Sequence, residues 1–562
     1  MTVATVTEIS RVTRGGAEAL LRRQRSGGAF GDNAPASVLG TAGAAAALHA
    51  ADPAAHADLV SNAGTWLRAE QHEDGGWGGV TGSASEVVPT AIAVASLAMT
   101  AAQASAKAIE SGRACLARFG GVEAVTDPAI AFLCRQFLAM AGLPDEAGRL
   151  RRVPLEIVLA DRIRRRRISF RTAPFIGLAL MQQGMFADSG LRRAVAGRAR
   201  NAGLALLRSI YDHEGRTGEF SADPWPAALV LLGLARAGAA PDMADAIAGW
   251  LRQVVRPDGS WDAVANLDLT RSAYAATGLA AAGYAADDRL HATRELFHAS
   301  QQQERFLVLD VPPGGWSFSG PRGWPVVLES AEILSALAAF PGSDEDPVLR
   351  SGCEWLLGRQ DKRGSWSLWV RDTKLANDGP CPAITSQAIV ALLDAGYPAD
   401  HRAIAAACRW LRTQQRPDGS FENLWYRDHT SGTAVVAAAL ARAGLASDPV
   451  AKRAVDWLRR GQMPDGSWGP GDGAEGSVEE TAWAVIGLLA AGGPDAAENA
   501  DRGVGWLVAA ALPDGGWQPA RVCNYIRHHM RYPNAVITQG LALRALGEYA
   551  EVAARATAGE AR

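Results

Sequence analysis

The sequence predicts an all-α fold built from stacked helix pairs, and three observations support this. A Trp-Leu pair recurs along the chain, and a Trp or Phe follows each pair eleven residues after its tryptophan. An Asp-Gly turn precedes that second aromatic residue in most copies. Alanine-rich segments follow the turns, and alanine is the strongest helix former. The clear copies span Trp66–Trp77, Trp250–Trp261, Trp355–Trp366, Trp410–Phe421, Trp457–Trp468 and Trp506–Trp517.

Each copy can be interpreted as one structural unit. The Trp-Leu pair lies near the end of a helix, and the glycine of the turn tolerates a positive φ. The second aromatic ring can then fold back onto the helix end. Successive late copies start about fifty residues apart, which is typical of stacked helical repeats. We therefore interpret the repeated tryptophans as packing residues and look for the active site elsewhere.

The composition excludes several classes of protein. The chain has 562 residues, of which 48% are hydrophobic and 20% charged, with a net charge of -3, which argues against nucleic acid as the main partner. The six cysteines form no CxxC pair, so neither a disulfide framework nor a zinc site is expected. No apolar run is long enough to span a membrane. We expect a cytoplasmic protein with at most peripheral membrane contact. The basic run 162–167 is either a solvated surface patch or a patch that faces anionic lipid.

The repeat resembles the QW motif of the squalene–hopene cyclase and class II terpenoid cyclase family. Residues 477–492 look like the family's late "TAWAL" helix, and 153–174 are similar to its "PPE…SWAR" segment. Residues 312–325 look like the approach to its "DxDD" acid motif. The resemblance implies two α/α barrels with the active site between them. A β-type barrel would comprise 1–37 and 266–562, and a γ-type barrel, 38–265, would be inserted in it.

The resemblance also implies a reaction. In this family the central aspartate of DxDD protonates an alkene or epoxide of a polyprenyl chain, and rings close through carbocations. Here the four motif positions fall on 326–329, with Leu328 at the protonating position. The family's helper Asp and His fall on Ala383 and Gln387. The chain therefore resembles a divergent terpenoid cyclase with a non-standard proton source. No cofactor is expected, apart from Mg²⁺ if the substrate is a diphosphate.

Candidate proton donors follow from the residues that remain. Glu329 is the only carboxyl in the 326–329 turn, and burial in a dry cavity would raise its pKa; alternatively it is a glutamate stabilised by the helix dipole. Asp428 and His429 could form a general acid–base pair, or a local ion pair on a solvated loop. Asp268 is expected to be a helix N-cap.

Substrate contacts are transferred from the resemblance position by position. Near the C-terminus, basic residues around Tyr525 either meet a diphosphate or form a surface loop. No metal-binding residues are predicted. The candidate substrate-binding residues are Phe170, Trp316, Phe318, Trp324, Leu328, Gln387, Trp425 and Tyr525.

Three functions stay open at this point. The first is an enzyme, a terpene cyclase of the isomerase or lyase type acting on an isoprenoid small molecule. The second is a non-catalytic isoprenoid-binding paralogue, or a cyclase-fold enzyme that is not initiated by protonation. The third, a prenyltransferase subunit, is disfavoured because no zinc-ligating Asp, Cys and His set is evident. The sequence does not predict the oligomeric state.

Overall fold

A computed structural model places most of the chain. It describes residues 5–560 except for several short segments, and it describes side chains as far as residue 556 in the C-terminal helix. The segments outside this description are 32–33, 161–170, 184, 187–188, 221, 265, 374, 376–377, 471–473 and 527–529.

The structure is helical almost throughout, so the all-α prediction is confirmed. Among the described residues, sheet is limited to two small antiparallel pairs: β1 (Ala36–Ser37) with β2 (Trp261–Asp262), and β3 (Cys523–Ile526) with β4 (Met530–Tyr532). The helices up to residue 253 are α1 Val6–Leu21, α2 Val38–Ala51, α3 Ala57–Ala69, α4 Val87–Thr100, α5 Ala106–Arg118, α6 Pro128–Met140, α7 Pro144–Ala147, α8 Thr172–Met181, α9 Gly190–His213, α10 Pro224–Ala237 and α11 Pro241–Gln253.

The second half of the chain continues the same alternation of helices and turns. Its helices are α12 Asp268–Leu279, α13 His291–Ser300, α14 Val327–Ala338, α15 Pro347–Gly358, α16 Pro382–Asp394, α17 Arg402–Arg412, α18 Thr430–Leu440, α19 Pro449–Arg460, α20 Val478–Ala491, α21 Pro494–Ala509 and α22 Ala535–Glu560.

Contacts between the helices of the second half close into a ring. Helix α12 packs on α14, α14 on α16, α16 on α18, α18 on α20, α20 on α22, and α22 returns to α12. Helices α13, α15, α17, α19 and α21 pack outside this ring, and the N-terminal α1 packs against α22. This is an α/α barrel whose inner helices all run in the same direction, because an outer helix separates each one from the next.

The first half of the chain forms a second set of helices of the same kind. Its inner helices α2, α4, α6, α8 and α10 are rich in small residues, and α10 contacts both α2 and α8. Outer helices α3, α5 and α11 pack on α2, α4 and α10. The protein thus has two α/α barrels, as expected. The residue bounds proposed for them, 1–37 with 266–562 and 38–265, stay a prediction.

The repeated tryptophans fasten each turn to the helix before it. The Trp468 indole N–H donates to the carbonyl oxygen of Leu458 at 2.7 Å, and the backbone N–H of Trp468 donates to Thr481 Oγ1 at 3.0 Å. Such a bond satisfies a carbonyl that the helix end leaves unpaired. The indole N–H groups of Trp77, Trp261, Trp366 and Trp517 make the equivalent bond to Leu67, Leu251, Leu356 and Leu507.

Candidate active site

Glu329 lies in the first turn of α14, on the inner ring of the second barrel. Val326 precedes the helix in an extended conformation and pairs with Trp316, and the N–H of Val327 donates to the carbonyl oxygen of Leu368. These contacts fix where the helix starts and turn the Glu329 side chain inward. Glu329 is only 8% exposed.

The environment of Glu329 favours its neutral form. The Thr270 hydroxyl lies 3.4 Å from Oε1, a long hydrogen bond, and Oε2 is buried without a hydrogen-bond partner among the described residues. Burial raises the pKa of Glu329 to about 7, against the opposing effects of the backbone at the helix start and of Thr270. A neutral carboxylic acid here can donate a proton.

A second carboxyl, that of the half-buried Glu332, lies one helical turn further along α14, and the sequence analysis did not predict it. The signal was present as Glu-x-x-Glu, because residues three apart on a helix share a face. Gln387 Nε2 donates to Glu332 Oε1 at 3.1 Å, whereas Oε2 is buried with no partner within the described part of the chain. Burial and the neighbouring Glu329 raise the Glu332 pKa well above its ordinary value; Tyr274 and Gln387 act in the opposite direction.

One of the two residues at the expected helper positions contacts this carboxyl pair. Gln387, which we predicted to bind substrate, uses its amide to hold Glu332. Ala383 is buried and offers no polar group, and Leu328 is 7% exposed. The structure therefore places an amide–carboxylic acid pair near the position where the resemblance implies an acid with two helpers.

Two buried tyrosines lie beside the carboxyl pair. The Tyr426 hydroxyl donates to the Tyr274 hydroxyl at 2.8 Å, and the Tyr426 ring meets Trp483 edge-on with the ring centroids 4.5 Å apart. Burial raises the pKa of both tyrosines well above the usual value. Both hydroxyls therefore stay protonated near neutral pH and can donate hydrogen bonds.

The first barrel adds a third buried carboxyl next to the C-terminal β3 strand. The Tyr525 hydroxyl donates to Asp223 Oδ2 at 2.7 Å, and Asp223 lies immediately before α10. Burial raises the Asp223 pKa to about 7, although the Tyr525 hydrogen bond opposes the rise. Tyr525, predicted as a substrate contact, thus joins the two barrels directly. Whether it also contacts substrate stays a prediction.

Asp428 and His429 are not brought together as an acid–base pair. Asp428 has a left-handed backbone with φ of 55°, its side chain is 39% exposed, and its nearest cation is Arg427 at 3.8 Å. His429 Nδ1 is buried and has no hydrogen-bond partner among the residues described, and burial lowers the His429 pKa. Arg427 instead forms a two-point ion pair with Glu480. Of the candidates, Glu329 alone has the burial that a neutral acid needs.

The predicted aromatic contacts divide between core and half-buried positions. Trp316 is fully buried, and its indole N–H donates to the carbonyl oxygen of Phe297 at 2.7 Å, so it has the same packing role as the repeat tryptophans. Trp324 is 1% exposed and packs on Phe306 at 4.9 Å between ring centroids. Phe318 and Trp425 are half-buried, and Phe170 lies outside the described residues.

Three further expectations can be compared with the described part of the chain. Within it, no helix has the length and apolar character needed to cross a membrane. The same residues contain no group of three or more His, Cys, Asp or Glu side chains able to hold a metal ion. Asp268 is the first residue of α12, not its N-cap as predicted; Leu267 occupies the cap position.

Comparison with known proteins relates this chain to one family. Residues 14–164 match the squalene–hopene cyclase N-terminal domain, and residues 271–549 match the C-terminal domain. The chain is 28% identical over 217 residues to the squalene–hopene cyclase of Bradyrhizobium diazoefficiens, a match that covers 33% of each protein. It thus matches about a third of the length of such relatives.

Two further proteins match more of the chain. An ent-copalyl diphosphate synthase from a Streptomyces species is 27% identical over 451 residues, which covers 76% of this chain and 77% of the relative. The solved ent-copalyl diphosphate synthase of Streptomyces platensis superposes with a TM-score of 0.56 at 20% identity, covering 96% of this chain and 99% of that one. The structural superposition supports the two-barrel fold. Together with the two domain matches, these findings show that the chain belongs to the squalene–hopene cyclase family of class II terpenoid cyclases.

Proposed function

We propose that the protein is a divergent class II terpene cyclase whose reaction starts when Glu329 protonates an isoprenoid substrate. One observation carries the proposal: a buried glutamic acid, Glu329, lies on the turn where the family's acid motif falls. Its neighbours in the turn are apolar, so Glu329 is the carboxyl that this turn can offer to an alkene.

The chemistry needs little beyond a proton and a dry cavity. Glu329 transfers its proton to one carbon of a terminal alkene or to an epoxide oxygen, and the positive charge that forms is captured by the next double bond. Aromatic faces stabilise such cations through their quadrupoles. A proton lost at the end of the cascade restores the balance, so the conversion is an isomerisation.

The names of the relatives indicate a broad class of substrate and not one compound. Relatives include enzymes named for squalene and for copalyl and drimenyl diphosphates. We therefore propose a polyprenyl chain, a prenyl diphosphate or a prenylated small molecule as the substrate. Mg²⁺ is expected only with a diphosphate.

A substrate panel tests the proposal. Purified protein is incubated with squalene, oxidosqualene, farnesyl diphosphate and geranylgeranyl diphosphate, with and without Mg²⁺, and the extracts are analysed by mass spectrometry. We expect cyclic isomers from at least one substrate. Binding of a substrate without conversion would instead favour a non-catalytic isoprenoid-binding protein, and release of diphosphate would show that ionisation starts the reaction.

The pH dependence of turnover should report the Glu329 carboxyl. The acid acts only when protonated, so we expect kcat to be high at mildly acidic pH and to fall as the pH rises through about 7. The folded-state pKa is raised, so this group's contribution to stability is present at acidic pH and lost between its unfolded pKa and about 7. A kcat that instead rises across this range would contradict an acid at Glu329.

A further inference from the structure

A cleft on the first barrel lies between the inner helix α8 and the outer helix α9. Its volume is about 300 Å³, which is at the lower end of the range for sites that bind small molecules. The 3₁₀ turn Leu155–Leu159 and the residues just before it form the third side. We call this space the α8–α9 cleft.

The α8–α9 cleft lies at the end of the first barrel that faces away from the candidate active site. Asp223, immediately before α10, bonds to Tyr525, so the N-terminal end of α10 faces the active-site side. Because the outer helix α9 separates α8 from α10, these two inner helices run in the same direction. The cleft is lined by Ala179 and Leu180 at the C-terminal end of α8, about 15 Å from its start. It is therefore separate from the site around Glu329.

One face of α9 forms a wall of the cleft. Arg193 and Arg200 lie seven residues apart, which is about two turns, and both line the cleft. Ala196 and Gly197 lie between them on the same face, and their small size leaves room for the cleft. A Cβ atom built on Gly197 would meet no atom of the described residues within 4 Å. No described neighbour therefore requires this glycine, although glycine is one of the poorest helix formers.

Positive charge surrounds the cleft. Arg193 and Arg200 face it from α9, and Arg152 faces it from the opposite side. Glu156 also lines the cleft, and it pairs with Arg152 at 3.3 Å. Arg200 Nη2 donates to the carbonyl oxygen of Ala237 at 3.1 Å, a contact that holds the guanidinium without an opposite charge. Several arginines around a concave surface favour a phosphate, because the guanidinium matches its oxygens in charge and geometry.

The floor of the cleft is apolar. Leu155 and Leu180 line it and are buried, and Phe186 lines it and is half-buried. Covering apolar surface of this kind with a hydrocarbon chain is favourable, because both are removed from water. An apolar floor beside three arginines therefore suits a molecule with an anionic head and an apolar chain.

Gln182 ties two sides of the cleft together. Its Oε1 accepts from the backbone N–H of Val153 at 2.8 Å, and its Nε2 donates to the carbonyl oxygen of Arg151 at 2.9 Å. Nε2 also donates to Gln136 Oε1 at 2.9 Å, and Gln182 is 6% exposed. Because these bonds fix the segment before the 3₁₀ turn on the end of α8, the cleft needs little rearrangement to accept a ligand.

We propose that the α8–α9 cleft binds a dissolved phosphorylated amphiphile with the chemistry of a prenyl phosphate, at a site separate from the active site. The phosphate lies among Arg152, Arg193 and Arg200, and the apolar chain covers Leu180 and Phe186. The inference goes beyond the proposed function and does not depend on it. A phospholipid headgroup offers the same chemistry from a membrane, and the experiment below separates the two sources.

Calorimetric titration of the full-length protein tests whether both halves of the ligand are needed. The probes are farnesyl monophosphate, farnesol and inorganic phosphate. We expect farnesyl monophosphate to bind at least about tenfold more tightly than either of the others, because each of them offers only one half of the chemistry. Added salt should weaken its binding, because salt screens the arginine–phosphate attraction. Equal affinity for farnesol would contradict a role for the arginines.

A matched pair of glycine variants shows whether the bound ligand is in the cleft. Gly197→Leu places a side chain in the open space and should weaken binding by about tenfold or more. Gly249→Leu is the control, because Gly249 is also an exposed glycine inside a helix whose added Cβ would meet no described atom within 4 Å. It lies on α11, outside the cleft. Leucine favours helix over glycine, so both proteins should keep their melting temperature.

A second pair of variants tests the charge. Arg200→Gln removes one of the three cations and should weaken binding by about tenfold, which is typical of a lost hydrogen bond between charged groups. Arg198→Gln changes the net charge equally on the same helix, but Arg198 lies outside the cleft. It should bind like the parent protein.

Hydrogen exchange followed by mass spectrometry locates the ligand directly. Farnesyl monophosphate should slow exchange in peptides from 172–183 and 190–200, and Gly197→Leu should remove this protection. Protection confined to α12 and α14, or unchanged binding by Gly197→Leu, would place the ligand in the active site and overturn the proposal.

Vesicles separate the dissolved ligand from a membrane lipid. Phosphatidylcholine vesicles with and without phosphatidic acid are sedimented with the parent protein and with Gly197→Leu. If the parent protein binds phosphatidic acid vesicles through Gly197 but does not bind dissolved farnesyl monophosphate, the cleft is a membrane contact and the proposal is wrong. The Glu329→Gln protein should bind farnesyl monophosphate in the cleft like the parent, so failure of the proposed reaction and failure of this site are distinguishable.

Discussion

The Glu329→Gln protein should fold normally and lose about 10²–10⁴-fold in turnover. Glutamine has the same shape as glutamic acid and can accept the Thr270 hydrogen bond that now reaches Oε1. It has no acidic proton, so the first step of the proposed reaction loses its donor. The measurement is kcat with the substrate from the panel, together with the melting temperature.

Asp268→Asn is the matched control for that experiment. Asp268 is also a carboxyl near the start of an inner helix, but it lies 3.2 Å from Arg25, and its side chain is 25% exposed. Asp268 also lies 3.5 Å from Arg271, whose side chain is only 4% exposed. Because removing one partner of a buried charge is destabilising, this variant should act mainly on stability and leave kcat near the parent value. If Glu329→Gln retained full turnover while Asp428→Asn abolished it, the proton source would be the 424–434 loop.

The repeats made the fold predictable. The spacing between Trp-Leu and the second aromatic residue is constant because one hydrogen bond fixes it. The indole N–H of the second tryptophan donates to the carbonyl oxygen of the leucine, which lies in the last turn of the preceding helix. Because the donor and the acceptor of this hydrogen bond lie in the same repeat, the repeat can be recognised from the sequence alone. Most of the fold prediction therefore followed from local chemistry repeated along the chain.

The site was only partly predictable, because it is assembled from helices far apart in sequence. Glu329 was identified from its place in a familiar segment, but its long contact with Thr270 joins two helices 59 residues apart. Glu332 was not among the predicted candidates, and the contact that distinguishes it comes from Gln387 on another helix. Burial decides whether a carboxyl is neutral. It results from the whole ring of inner helices and cannot be seen in any one sequence segment.

Trp316 shows what the structure adds to a residue chosen by resemblance. The segment that leads to the acid motif suggested a substrate-facing ring, yet the same tryptophan ends a Gly-Gly turn like the repeat tryptophans. Its indole N–H donates to the carbonyl oxygen of Phe297. Its ring packs directly on Gly352, because a Cβ atom added to Gly352 would lie 2.7 Å from a carbon of the Trp316 ring. Because the Trp316 side chain is fixed by both contacts, it belongs to the packing that positions α14.

Trp316→Ala should therefore lower the free energy of unfolding by about 3–5 kcal/mol, as truncation of a fully buried tryptophan typically does. The cause is a cavity beside α14 together with the unpaired carbonyl at Phe297. Denaturant unfolding followed by circular dichroism measures the loss. Trp425→Ala is the matched control, because that ring is half-buried and meets Trp369 edge-on at 6.4 Å; it should cost less stability and change the product pattern more. A Trp316→Ala protein that kept its stability but no longer bound substrate would restore Trp316 as a wall of the active site.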